Sequence, residues 1–85
     1  MAVHKLKIGS ENFEAINRGN KTFELTLNDR DYQDGDILLL QEWNEDISFM
    51  GREITVVVTY LLKGGVFGLK NGYVIMSFQR IDSDG

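Results

Sequence analysis

The stretch GSENFEAINRGNKTFELTL (residues 9–27) decides the fold, because it holds the chain's helical spacing and passes it directly into a strand. Ser10 is placed to cap a helix, and Glu11 and Glu14 lie in the first turn, where the positive helix end favours anions. Phe13 and Ile16, three apart, form the buried stripe of a helix over 10–18. Arg18 occupies the last turn and Gly19 supplies a left-handed stop. From Thr22 the period changes to two. The alternation predicts a strand with Phe23, Leu25 and Leu27 facing inward and Thr22, Glu24 and Thr26 on the other side.

Outward from this stretch the chain reads as strands and turns. VHKLKI (3–8) alternates, with Leu6 and Ile8 on one face, Lys5 and Lys7 on the other, and His4 sharing the Leu6 face as a core histidine rather than a catalyst. NDRDYQDGD (28–36) has the self-capping side chains and the Asp-Gly pair of a turn. ILLLQEW (37–43) begins apolar on both faces, as a central strand does. NEDISFMGR (44–52) is a loop or hairpin. EITVVVTYLL (53–62) is a long β-branched strand, and YVIMSFQRI (73–81) is the last. Between them lie turns at KGG (63–65) and KNG (70–72) around a short irregular VFGL. DSDG (82–85) is a frayed tail.

The order β-α-β-β-β-β has one helix, so a doubly wound parallel sheet, which needs repeated crossover helices, is excluded. The expected class is mainly β with one short helix (α+β): a small, strongly bent, mostly antiparallel barrel of five to six strands plugged by the helix at one end. Eighty-five residues hold one domain, taken as 1–81, with a small core.

Composition narrows the chemistry. There is no cysteine, hence no disulfide and no thiolate zinc site, and a single histidine excludes a histidine-rich metal site. No metal or cofactor is expected. No apolar run approaches the ~18 residues of a membrane span, so a cytoplasmic monomer is the expectation. The net charge of −4 opposes coating nucleic acid by phosphate contacts alone, and any nucleic-acid binding must rest on specific residues.

GNKTFE has the form G-x-K-x-x-E between a helix end and a strand start. This resembles the signature of the ASCH superfamily, relatives of the PUA domain, where the pattern runs G-x-K-x-x-E-x-R. Gly19, Lys21 and Glu24 match; Thr26 stands in the position of the arginine. The resemblance extends through HKLKI, NDRDY, the Gly-Asp before ILLL, Gly51-Arg52-Glu53, VTYLL-GG-FGL and GYVIMSF, and is to a small bacterial and phage branch of unknown function. It implies a PUA-like β-barrel with a helix against a cleft. It also implies RNA or a modified nucleotide as partner, with small amidohydrolases on acylated nucleosides and ribonucleases among the relatives.

On this reading Lys21, Glu24, Arg30, Arg52, Phe67 and Tyr73 are the candidate binding residues. Lys21 would hold a phosphate as a point charge, or, if the protein is an enzyme, activate water or a threonine. Glu24 would accept hydrogen bonds from a base or move a proton. Arg30 would replace the charge lost at Thr26, and Arg52 would be a second phosphate contact. Phe67 and Tyr73, beside glycines, would offer stacking faces. Each has a plainer account: a lysine past a helix C-terminus, a surface ion pair, a salt-bridged turn, a strand-edge arginine and rim aromatics. The acidic balance also suits a basic protein partner.

Overall fold

The run expected as a central strand and the long β-branched run lie side by side. β3 (Ile37–Asn44) pairs antiparallel with β4 (Ser48–Lys63), and β4 with β5 (Tyr73–Arg80). The N-terminal third supplies both flanks of this meander. β1 (Val3–Gly9) runs parallel to β3, and β2 (Phe23–Leu27) antiparallel to β5, giving the order β1-β3-β4-β5-β2. Between them α1 (Ser10–Asn17) packs on β1 and β3. The protein, described over residues 1–81 by a computed structural model, is thus mainly β with one short helix, its mixed sheet curled into a half-barrel whose edge strands do not pair with each other. The expected tail at 82–85 lies outside the described residues. No helix among those residues is long and apolar enough to cross a membrane.

One face of the sheet makes the core. Leu6 and Ile8, Leu38 and Leu40, Ile54, Val56 and Val58, and Val74, Met76 and Phe78 alternate inward along four strands, and Phe13 and Ile16 of α1 close over them. Gly19, at φ 81°, stops the helix as its position predicts. Ser10 is already helical: Gly9 holds the cap position, and no side chain among the described residues caps it.

β2 corrects the expectation. Phe23, Leu25 and Leu27 are about half exposed, and Glu24 and Thr26 are the half-buried pair. Alternation identifies the two rows of a strand but not which row faces the core. Here Glu24 turns inward to meet Lys21 at 3.1 Å, which sends the apolar row to solvent.

Two irregularities set the curvature. Val58 pairs with Phe78 but Tyr60 with Ser77, so Thr59 is an extra residue, and the inward row passes from Val58 to Leu61. Tyr60, which strict alternation would bury, is 64% exposed. In the β3–β4 hairpin, Gln41 pairs with Glu53 and Trp43 with Phe49, which bulges the chain around Gly51 (φ 95°). At this end of β3 the Lys7 ammonium sits 4.2 Å from the Trp43 ring centre. The β4–β5 loop is tightly built: a Cβ on Gly64 would lie 1.9 Å from the Lys70 carbonyl oxygen.

Asp36, buried at the start of β3, joins the segments that meet there. Its carboxylate accepts from the Ala2 and Gln33 N–H groups at 3.0 Å each and lies 2.9 Å from His4 Nε2. Its backbone accepts from Val58 N–H. His4 therefore has the structural role expected of it. Burial pushes the Asp36 carboxyl up, but the hydrogen bonds from Ala2, His4 and Gln33 outweigh it and hold the carboxyl below its ordinary 3.8. A depressed carboxylate contributes stability above pH 3.8 that is lost as pH falls through the lower folded value. Asp36→Asn should cost about 1–3 kcal/mol at pH 7, because the amide turns a donor toward N–H groups. Urea midpoints at pH 7 and pH 3 should show this cost shrinking in acid; an equal cost at both would contradict the assignment.

Candidate functional site

The junction between α1 and β2 builds the site. The N–H groups of Arg18, Gly19, Asn20 and Lys21 turn back to the carbonyls of Glu14, Ile16 and Ala15, the last accepting two. This closes the helix end and fixes the Lys21 backbone. Lys21 Nζ then donates to Asn12 Oδ1 and to Glu24 Oε1, each at 3.1 Å. The Lys21 and Glu24 side chains are only 17% and 16% exposed, so this pair is screened by salt less than a surface pair. Thr26 follows on the same inner face of β2.

A groove of about 310 Å³ opens beside the pair. It exists because β2 is short: its pairing with β5 ends at Ser77, and beyond it only the Thr22 carbonyl accepts from Phe78 N–H. Lys21, Arg18 and Arg80 bring positive charge to its walls, and Ile16, Val56 and Phe78 supply apolar surface. Arg18 Nε lies 3.3 Å from Glu14 Oε2, and Arg80 Nη1 lies 3.1 Å from Asn17 Oδ1. An acidic chain thus carries a locally basic edge.

Tyr32 is buried in the β2–β3 connection, its ring edge-on to His4 at 4.7 Å. Its hydroxyl has no hydrogen-bond partner among the described residues. Burial pushes the phenol up; the Arg30 charge pulls it down, and the charges of Asp29 and Glu24 push it up again. Tyr32 also lines a second hollow of about 230 Å³ with Leu61 and Lys63.

Of the six candidate residues, Lys21 and Glu24 meet. Arg30 donates to the Lys5 carbonyl on edge strand β1, fastening the β2–β3 connection there. Arg52 grips Glu42 with two hydrogen bonds, Nε to Oε1 at 2.8 Å and Nη2 to Oε2 at 3.1 Å, and reaches Glu14 at 3.1 Å. Phe67 stands 91% exposed in the β4–β5 loop at φ 51°. Tyr73 starts β5 with the Lys70 ammonium 6.0 Å from its ring centre. Asn12 and Arg80 were not among the candidates. Asn12 meets Lys21 from the helix, and Arg80 reaches the groove from a distant strand end, meetings that no local pattern reports.

A small half-barrel with a helix-edged basic groove is the class of protein that fold and site define. The chain belongs to the family described as "Domain of unknown function (DUF3850)", whose model matches residues 3–78, from the start of β1 into β5 and short of the groove residues Gln79 and Arg80. It is 33% identical over 57 residues to the "Uncharacterized 12.9 kDa protein in GpA 3'region" of Escherichia phage P2. That match takes in 67% of this chain and 51% of the relative, so the chain spans about half the length of the curated relative. Among solved structures, "hypothetical protein PH0355" superposes with a TM-score of 0.66 at 19% identity, over 95% of this chain and all of that one, a likeness of fold.

The Arg52 pair has its own pH signature. Hydrogen bonds from Arg52 lead in lowering the Glu42 carboxyl below its ordinary 4.5, against the opposing effect of burial, with help from Ser10 and the Arg52 charge. The same bonds, to Glu42 and then Glu14, raise Arg52. Glu42 thus contributes stability above pH 4.5 that is lost as pH falls through its lower folded value. Arg52→Ala removes the partner and leaves a buried carboxylate that favours its proton. The variant should be clearly destabilised at pH 7 and less so near pH 3, because the stability that Glu42 contributes is lost as pH falls through its lowered folded value. Thermal melts at the two pH values measure this, and Arg52→Lys should rescue only part because it lacks the planar fork.

Proposed function

We propose that the protein is an ASCH/PUA-like module that binds RNA or a modified nucleotide in the groove beside Lys21 and Glu24. The observation that carries this reading is the shielded Lys21–Glu24 pair at the edge of a groove lined by Arg18, Arg80 and apolar side chains. Cations placed around a groove suit a phosphate. A carboxylate behind them accepts from the amino group of a base, and Ile16, Val56 and Phe78 suit its apolar faces. A volume of about 310 Å³ is at the small end of ligand pockets and matches one nucleotide better than a long strand. Thr26 in place of the superfamily arginine moves the phosphate contact to Lys21, Arg18 and Arg80.

A second reading is a small amidohydrolase on acylated nucleosides. It is favoured by the direct Lys21–Glu24 contact with Thr26 on the same face. Lys21 would activate water or the threonine and Glu24 would move the proton.

Fluorescent short RNAs and single nucleotides titrated at two salt concentrations test the first reading. Binding should weaken with salt, and Lys21→Ala should lower affinity about 10- to 100-fold, the worth of one charge-assisted hydrogen bond. Absence of binding at low salt across several RNAs and nucleotides would overturn it. Incubation with N4-acetylcytidine separates the readings: turnover that Lys21→Ala abolishes supports the hydrolase, and no turnover removes it.

A further inference from the structure

The two edges of the sheet are finished differently. β1 presents Lys5 and Lys7 on its outer face, and its Lys5 carbonyl is taken by Arg30. Charge and a blocked backbone are common protections against strand addition. β2 has neither. Its outer row is Phe23, Leu25 and Leu27, exposed at 47%, 48% and 50%, with no lysine, proline or bulge in the strand. The row continues across the sheet into Ile75 of β5 and Leu62 of β4, both half-buried.

The backbone is equally open. Phe78 N–H donates to the Thr22 carbonyl and Asn28 N–H to the Gly72 carbonyl, so residues 22, 24, 26 and 28 turn their backbone groups toward β5. The N–H and C=O groups of Phe23, Leu25 and Leu27 therefore point away from the sheet, where no strand among the described residues pairs with them.

We propose that β2 pairs antiparallel with β2 of a second copy of this chain, in a register centred on Leu25. In that register Leu25 lies opposite the partner's Leu25, and Phe23 opposite the partner's Leu27. The residues with outward-pointing backbone are thereby the ones directly opposed, and each such pair exchanges two hydrogen bonds. The apolar rows meet on one face as cross-strand pairs. On the other face Glu24 lies opposite the partner's Thr26, so no like charges are opposed. A register centred on Glu24 would set two carboxylates against each other, and one centred on Phe23 or Leu27 would leave outward groups unpaired. The five-residue strand makes a small interface, of the kind that associates reversibly. This inference is independent of any ligand.

Sedimentation equilibrium from about 10 μM to about 1 mM should show a reversible monomer–dimer equilibrium. Leu25→Lys, a change at a half-exposed position, should keep the native circular dichroism spectrum and weaken dimerisation at least about tenfold. The cysteine-free chain allows a cleaner test of register. Leu25→Cys should oxidise readily to a covalent dimer, since directly opposed residues of a hydrogen-bonded pair lie about 5.5 Å apart, within disulfide reach. Phe23→Cys should not, because its two thiols would be four residues out of step, about 13 Å apart. A monomer throughout that range overturns the proposal. So does a dimer undiminished by Leu25→Lys, or cross-linking at position 23 and not at 25.

Discussion

Asp36 sits where the chain's distant parts must meet. Its carboxylate holds the N–H of Ala2 at the start of β1, the N–H of Gln33 in the β2–β3 connection, and His4. Its backbone joins β4 at Val58. The β1–β3 pair is the sheet's parallel one, and such a pair cannot be made by a tight turn. The chain must cross between its strands, and everything from Ser10 to Gly35 lies in that crossing. Helix α1, the Lys21 junction, β2 and the buried Tyr32 are all carried by the connection whose last turn Asp36 ties to the start of β1.

That arrangement explains why the polar site is where it is. A helix leaving β1 must pack over the concave face, because Phe13 and Ile16 need the core. The chain then returns as a strand, but on the far edge of the sheet, against β5. β2 is too short to cover the last residues of β5, and the uncovered length becomes the groove. The same placement leaves β2 half dressed: polar residues on the inside, where the cleft begins, and apolar ones on the outside. Inverted polarity and an incomplete edge have one origin.

Much of the fold was legible in the residues. The helix was visible because stripe and glycine stop agreed at Phe13, Ile16 and Gly19, although the cap expected at Ser10 falls to Gly9. The strands at the middle of the sheet were visible because β3 begins with the apolar run 37–40 and the β-branched run after Glu53 is nearly continuous. The facing of β2 was not, since a period-two pattern has two solutions and the core chooses between them. Nor was the displacement of Tyr60, which depends on one extra residue, Thr59, in a strand that otherwise alternates cleanly. At the site, Lys21 and Glu24 are three apart in sequence, and their meeting could be anticipated. Asn12 reaches Lys21 and Arg80 reaches the groove by tertiary packing, and Arg52 finds Glu42 only through the β3–β4 bulge.

The Lys7–Trp43 contact has a spectroscopic consequence. Trp43 is the chain's one tryptophan, at the far end of β3 beside the hairpin bulge and opposite Gly9 of β1. Its indole is covered by a cation from the neighbouring strand, and it is not among the residues lining the groove. Intrinsic emission therefore reports on the docking of β1 against β3, the parallel pair, and is blind to direct contact with a ligand beside Lys21. The molecule carries a native optical probe of its architecture that is separate from its candidate chemistry.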